Sequence, residues 1–136
     1  MQAIRDTAPS RRAWTVRADI QASSHAPYEA RRALAPLLDT LDQQAATAVR
    51  LVVSELVTNS VRHAAAGDGA SIELEASADN DRIRLTVRDW GHGFDPAGSS
   101  EPGAAGGWGL QVVDRLVDRW WIDVGCGTRV TCEMTA

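Results

Sequence analysis

The chain has 136 residues, enough for one hydrophobic core and little beyond it. Hydrophobic residues make up 44% and charged residues 24%, an ordinary globular composition that excludes a disordered chain. Fourteen basic against 18 acidic side chains give a formal charge of −4, so no basic surface argues for direct nucleic-acid binding. All the basic residues are arginine, which reads as codon bias rather than chemistry. From Met1 to Arg12 there is no apolar run, and no stretch approaches the ~18 apolar residues of a membrane span. A cytoplasmic protein without signal peptide or membrane contact is expected. Cys126 and Cys132 lie in a strand-like segment and read as reduced, half-buried thiols rather than a disulfide or metal pair.

In chain order, residues 1–11 are polar and aperiodic, a frayed tail that leaves 12–136 as the folded domain. Trp14, Val16 and Ala18 alternate with Thr15, Arg17 and Asp19, which predicts a strand with one buried face. Ser23 and Ser24 offer caps for a helix over about Pro27 to Ala35, which Pro36 ends or kinks. A longer helix is expected over about Asp42 to Ala66, where Val49, Val52, Val53, Leu56 and Ser60 recur at helical spacing; Gly67 and Gly69 stop it. Ile72, Leu74 and Ala76 alternate with glutamates, and Ile83, Leu85 and Val87 with arginines, an antiparallel hairpin about Ala78–Asp81. A turn centred on Ala78 and Asp79 would set Glu75 opposite Arg82 and Glu73 opposite Arg84. Residues 90–109 carry no periodicity but seven of the 11 glycines, and so long a loop in a compact domain points to function. Leu110, Val113, Leu116 and Val117 predict a third helix, and Trp120–Val124 and Thr128–Met134 a last hairpin about Gly125-Cys126-Gly127. About three helices and five strands, without regular βαβ alternation, give an α/β (α+β) two-layer fold.

Three elements carry chemistry. Glu55 and Asn59 are four apart and project together from the long helix, on the flank of its apolar stripe. A carboxamide oxygen suits Mg²⁺, and a neighbouring carboxylate can accept a proton from a group attacking phosphate. The plain alternative is a solvated Glu and an Asn near a helix end. His63 continues that face, where the helix dipole alone also favours a histidine. Asp89 ends a strand before Gly91 and Gly93; such glycines admit a flat ligand, and the carboxylate can accept from an exocyclic amino group, although most such segments are merely turns. Gly106 to Gly109 open the third helix, where free N–H groups make an anion site or the glycines a hinge. Neither a Walker A loop nor a dinucleotide fingerprint is present.

Taken together, Glu55-Leu-Val-Thr-Asn59-Ser-Val-Arg-His63-Ala64, Asp89-Trp-Gly91-His-Gly93-Phe94 and Gly107-Trp-Gly109-Leu110 resemble the N, G1 and G2 boxes of the GHKL superfamily of Bergerat-fold ATPases and kinases. The resemblance runs from about Trp14 to Met134. Val52–Asn59 and the small size look most like the branch of bacterial anti-sigma-factor serine/threonine kinases. It implies a mixed, mostly antiparallel sheet with about three helices on one face. It further implies an Mg-ATP site in which Asn59 holds Mg²⁺ through the ATP phosphates and Glu55 is the general base. Asp89 would bind the adenine amino group in a pocket shaped by Gly91, Gly93 and Phe94, supported by Thr128 before the last strand. His63 would face the same cleft; Gly107, Trp108, Gly109 and Leu110 would cradle phosphates, with residues 95–106 as the lid. Implied partners are a sigma factor and a STAS-type anti-sigma-factor antagonist, with a homodimer through the first strand. One departure concerns turnover: from Trp90 through Gly109 there is no Arg or Lys to stabilise the transferring phosphoryl group, so Arg62, another remote arginine or one from a partner would have to supply the cation. A non-catalytic ATP-binding switch therefore stands beside the kinase. A histidine-kinase catalytic domain is a third reading, against which stands the lack of room for a dimerising helical hairpin.

Overall fold

The computed structural model describes residues 14–63, 70–90 and 110–135. The expected tail, the end of the long helix beyond residue 63, Gly67 and Gly69, and the segment 91–109 lie outside them. Strand β1 (Trp14–Gln21) leads into helices α1 (Ala26–Ala33) and α2 (Ala35–Leu38), and then the long α3 (Gln43–His63). Strands β2 (Ser71–Asp79) and β3 (Arg82–Asp89) follow, then α4 (Leu110–Leu116), β4 (Arg119–Gly125) and β5 (Gly127–Thr135). The sheet has the order β1-β2-β3-β5-β4, and every neighbouring pair is antiparallel. The expected mixed sheet is thus wholly antiparallel among the described residues. A fourth helix arises because Pro36, in the first turn of α2, lacks the N–H that would continue α1; Leu34 joins the two and is fully buried.

Local chemistry accounts for the element ends. The N-cap of α1 is His25, which makes no side-chain cap bond; Ser23 Oγ instead accepts from the His25 N–H at 3.0 Å, so Ser23 shapes the approach rather than capping the helix. Asp42 caps α3, its Oδ1 accepting from the Ala45 N–H at 2.8 Å. The β2–β3 hairpin turns at Asn80 and Asp81, later than the expected Ala78–Asp79 centre, because Asn80 takes the left-handed conformation (φ 59°) that a tight turn needs and asparagine tolerates. The register therefore sets Glu73 opposite Arg88 and Glu75 opposite Thr86, and Glu75 pairs with Arg17 of β1 at 2.9 Å.

One sheet face is apolar. Ile20, Ile72, Leu74, Ala76, Ile83, Leu85, Val87, Cys132 and Met134 lie on it and form one core with Val49, Val52, Val53, Leu56 and Val57 of α3. Each fully buried aliphatic side chain contributes roughly 1.5–3 kcal/mol. Arg31 of α1 donates to Ser54 Oγ at 2.9 Å and ties α1 to one flank of α3. The other face of the sheet is charged. There Glu133 of β5 is covered by Arg82 and Arg84 of β3 and Arg119 of β4, while the Arg84 and Arg119 guanidinium groups flank the Trp121 ring at 5.6 and 4.9 Å. Both cysteines are free, but they are not an equivalent half-buried pair. Cys126 is exposed at the β4–β5 turn, and Cys132 is buried with its thiol pushed up to about 12 by desolvation.

Candidate functional site

A groove of about 870 Å³ fixes which ends of the elements meet. It is lined by Asp42, Ala45, Ala48 and Leu51 from the start of α3, Leu116 from the end of α4 and Met134 from the end of β5. From Ala45, Asn59 lies about 21 Å further along α3 at 1.5 Å per residue. From Met134, Thr128 lies about 20 Å back along β5 at 3.3 Å per residue. Glu55 and Asn59, the opening residue of α4, and the Asp89–Thr128 row accordingly lie towards the opposite end of the molecule.

The helix positions both polar residues as their spacing requires. The α3 positions buried in the core, Val49, Val53, Leu56 and Ser60, define one side; Ser54, bound by Arg31, lies on the α1 flank. Glu55 and Asn59 fall on the other flank, with Ala48, which lines the groove shared with α4. Glu55 is half-buried, whereas Asn59 is only 8% exposed. Among the described residues the Asn59 carboxamide has no hydrogen-bond partner. A buried amide left in that state costs about 1–3 kcal/mol, and a hard cation or a polar ligand satisfies it. The donor set thus fits Mg²⁺: one neutral oxygen ligand next to a carboxylate, the remaining positions left to phosphate and water.

Asp89 closes β3 and Thr128 sits directly opposite it in β5, both on the helix side of the sheet and both buried. Thr128 is the second residue of the last strand, so its place beside Asp89 is fixed by the strand ladder. Gly127 holds the same corner. Its φ is +93°, and a Cβ there would meet the Asp89 carbonyl oxygen at 2.1 Å and the Trp90 Cα at 2.9 Å. Only glycine lets the β4–β5 turn lie against the end of β3 in this way. Arg88 reinforces the corner from the charged face, donating to the Cys126 carbonyl at 3.3 Å and stacking on Trp90 at 3.9 Å. Neither Gly127 nor Arg88 stands out in the sequence as a site residue; the Gly-Cys-Gly signal was visible but marks a turn as readily as a buttress.

Of the remaining expected site residues, Leu110 is the first residue of α4, partly buried against the core. The His63 side chain, Gly91, Gly93, Phe94, Gly107, Trp108, Gly109 and the lid 95–106 lie outside the described residues. The described structure therefore brings together Glu55 with Asn59 on one element and Asp89 with Thr128 across two others. Among the described residues there is no helix long and apolar enough to cross a membrane.

A family profile described as a histidine kinase-like ATPase domain matches residues 20–134. The fold is similar to that of a crystal structure of the RsbU and RsbW domains of a Mycobacterium tuberculosis protein, with a TM-score of 0.67 and 24% identity over 89% of this chain. It is also similar to the histidine kinase domain of a blue-light activated histidine kinase from Erythrobacter litoralis, with a TM-score of 0.50 and 25% identity over 65% of this chain. The chain spans 31% of the first of these and 43% of the second. No curated protein matches it.

Proposed function

The chain belongs to the histidine kinase-like ATPase domain family, and from that premise we propose that it is a cytoplasmic, ATP-binding regulatory protein, an anti-sigma factor that phosphorylates a serine or threonine of a STAS-type antagonist. The observation that carries the nucleotide site is Asn59, buried beside Glu55 with no partner among the described residues. In this reading the Asn59 carboxamide oxygen is the protein ligand to Mg²⁺, and Asp89 accepts a hydrogen bond from the adenine amino group with Thr128 bracing it. Bound Mg²⁺ supplies charge neutralisation between the phosphates. Glu55 takes the proton from the attacking hydroxyl, and its half-buried place on α3 keeps it one helical turn from Asn59. Gly91, Gly93, Phe94, His63, Gly107, Trp108, Gly109 and Leu110 are proposed to complete the adenine and phosphate contacts.

Two variants separate binding from transfer. Asp89→Ala is expected to abolish Mg-ATP binding in calorimetry, with circular dichroism checking that the variant is folded. Glu55→Gln is expected to keep binding and to lower transfer to the antagonist by about 10²–10⁴-fold, the usual weight of a general base. Absence of transfer by the wild-type chain to a verified partner rules out the kinase.

A second reading follows from a specific feature, the lack of any Arg or Lys between Trp90 and Gly109. A non-catalytic switch binds Mg-ATP, holds its partner according to nucleotide state, and still regulates as Glu55→Gln. Loss of regulation in that variant excludes it.

A further inference from the structure

Arg88 lies on the charged face of the sheet, one residue before Asp89, and its register neighbours are Glu73 of β2 and Arg129 of β5. A cross-strand ion pair with Glu73 is the ordinary use of an arginine in that place. Other arginines of this face are paired in that way, Arg17 with Glu75, Arg84 with Glu133 and Arg129 with Asp123. Among the described residues no ion pair joins Arg88 to Glu73. Its guanidinium is turned to the corner, 3.9 Å from the centroid of the Trp90 ring and donating to the Cys126 carbonyl at 3.3 Å. One side chain thus reaches across 38 residues of sequence, from the end of β3 to the turn before β5.

Little else holds these two segments on that side. Trp90 is 51% exposed, so burial alone does not fix its ring. Cys126 is exposed, a Cβ on Gly125 would meet nothing within 4 Å, and a cavity of about 190 Å³ lies among Arg88, Asp123, Cys126 and Arg129. The turn is therefore unpacked on its outer side. Its described contacts with the end of β3 are the strand ladder, the close approach of Gly127 and the Arg88 bridge.

We propose that Arg88 is a positioning residue of the nucleotide corner, holding Trp90 and the Gly125–Gly127 turn so that Asp89 and Thr128 meet the adenine together. The proposal rests on the adenine reading of that corner. Successive strand residues face opposite sides, so Arg88 acts through the backbone of β3 and the turn, not on the nucleotide itself. The guanidinium form matters, because a planar fork stacks on a ring and donates in its own plane at once, and an ammonium does not.

Calorimetry of the full chain with Mg-ATP and with Mg-ADP is the test. Arg88→Ala is expected to weaken both nucleotides by the same factor, about fivefold or more, the scale of a lost cation–π stack. Arg88→Lys should recover only part of that loss, and Trp90→Ala should lose about as much as Arg88→Ala. The double variant should bind no worse than either single one, since both remove the same stack. Arg17→Ala is the control: it lies on the same face, is paired with Glu75, and is expected to keep wild-type affinity. A guanidinium acting only through its charge would favour the more anionic nucleotide. Wild-type affinity in Arg88→Ala, a loss larger for ATP than for ADP, or full recovery in Arg88→Lys would each overturn the positioning role and leave the Mg-ATP site standing. A wild-type chain that binds neither nucleotide overturns the adenine reading and this inference with it. Should Arg88→Ala fail to fold, Arg88→Lys and Trp90→Ala carry the comparison, and wild-type affinity in both refutes the proposal.

Discussion

At the scale of single residues, the corner formed by Asp89 and Thr128 depends on one glycine. Gly127 adopts φ +93° with the Asp89 carbonyl where a Cβ would stand. Gly127→Ala is expected to cost about 1–3 kcal/mol from backbone strain alone. It also displaces the end of β3, so Mg-ATP affinity should fall by about tenfold or more, 1.4 kcal/mol in binding. Gly125→Ala is the control, since nothing lies within 4 Å of its added Cβ, and urea unfolding with calorimetry compares the two. The thiols make a second residue-scale prediction. Cys126 is exposed, whereas burial holds Cys132 protonated with a thiol value of about 12. An alkylating reagent should modify one thiol per native chain and two after denaturation, counted by mass spectrometry.

At the scale of elements, Glu133 acts as a clasp over three strands. The hydrogen bond from Arg84 holds its carboxyl below the ordinary glutamate value of 4.5, aided by the charges of Arg84, Arg119 and Arg82 and opposed by burial. A carboxylate lowered on folding contributes stability above its unfolded value and loses it as pH falls through the folded one. Thermal stability should therefore decline below about pH 4.5. Glu133→Gln should remove part of that decline and lower stability at neutral pH, as melting curves at several pH values will show.

The elements also show how far the sequence could be read. The strands and the α3 stripe were legible because period-2 and 3.6-residue patterns follow directly from burying one face. Glu55 with Asn59 was legible for the same reason, as i, i+4 neighbours on a helix. Turn centres were less so: Asn80 and Asp81 make the hairpin because Asn80 reaches positive φ, a choice that neighbouring polar residues disguise. The Asp89–Gly127 contact was not legible at all, since close approach between residues 38 apart leaves no local periodicity.

At the scale of the whole molecule, a ligand that binds only the folded chain stabilises it by mass action. Mg-ATP at about 100 times its dissociation constant should add about 2.7 kcal/mol, a rise in melting temperature on the order of 10 °C. Scanning calorimetry with and without Mg-ATP measures it, and the rise should vanish in Asp89→Ala.

The pairing of β3 with β5 has a further consequence in time. The β2–β3 and β4–β5 hairpins close through short turns, but Asp89 and Thr128 are 39 residues apart. Their ladder forms only after the intervening chain, α4 and β4 included, has been laid down, and such distant pairings are slow to close. During synthesis the helix bearing Glu55 and Asn59 is made before the strand that carries Thr128. A nascent chain has no complete Asp89–Thr128 corner, the proposed place of the adenine, until β5 has left the ribosome.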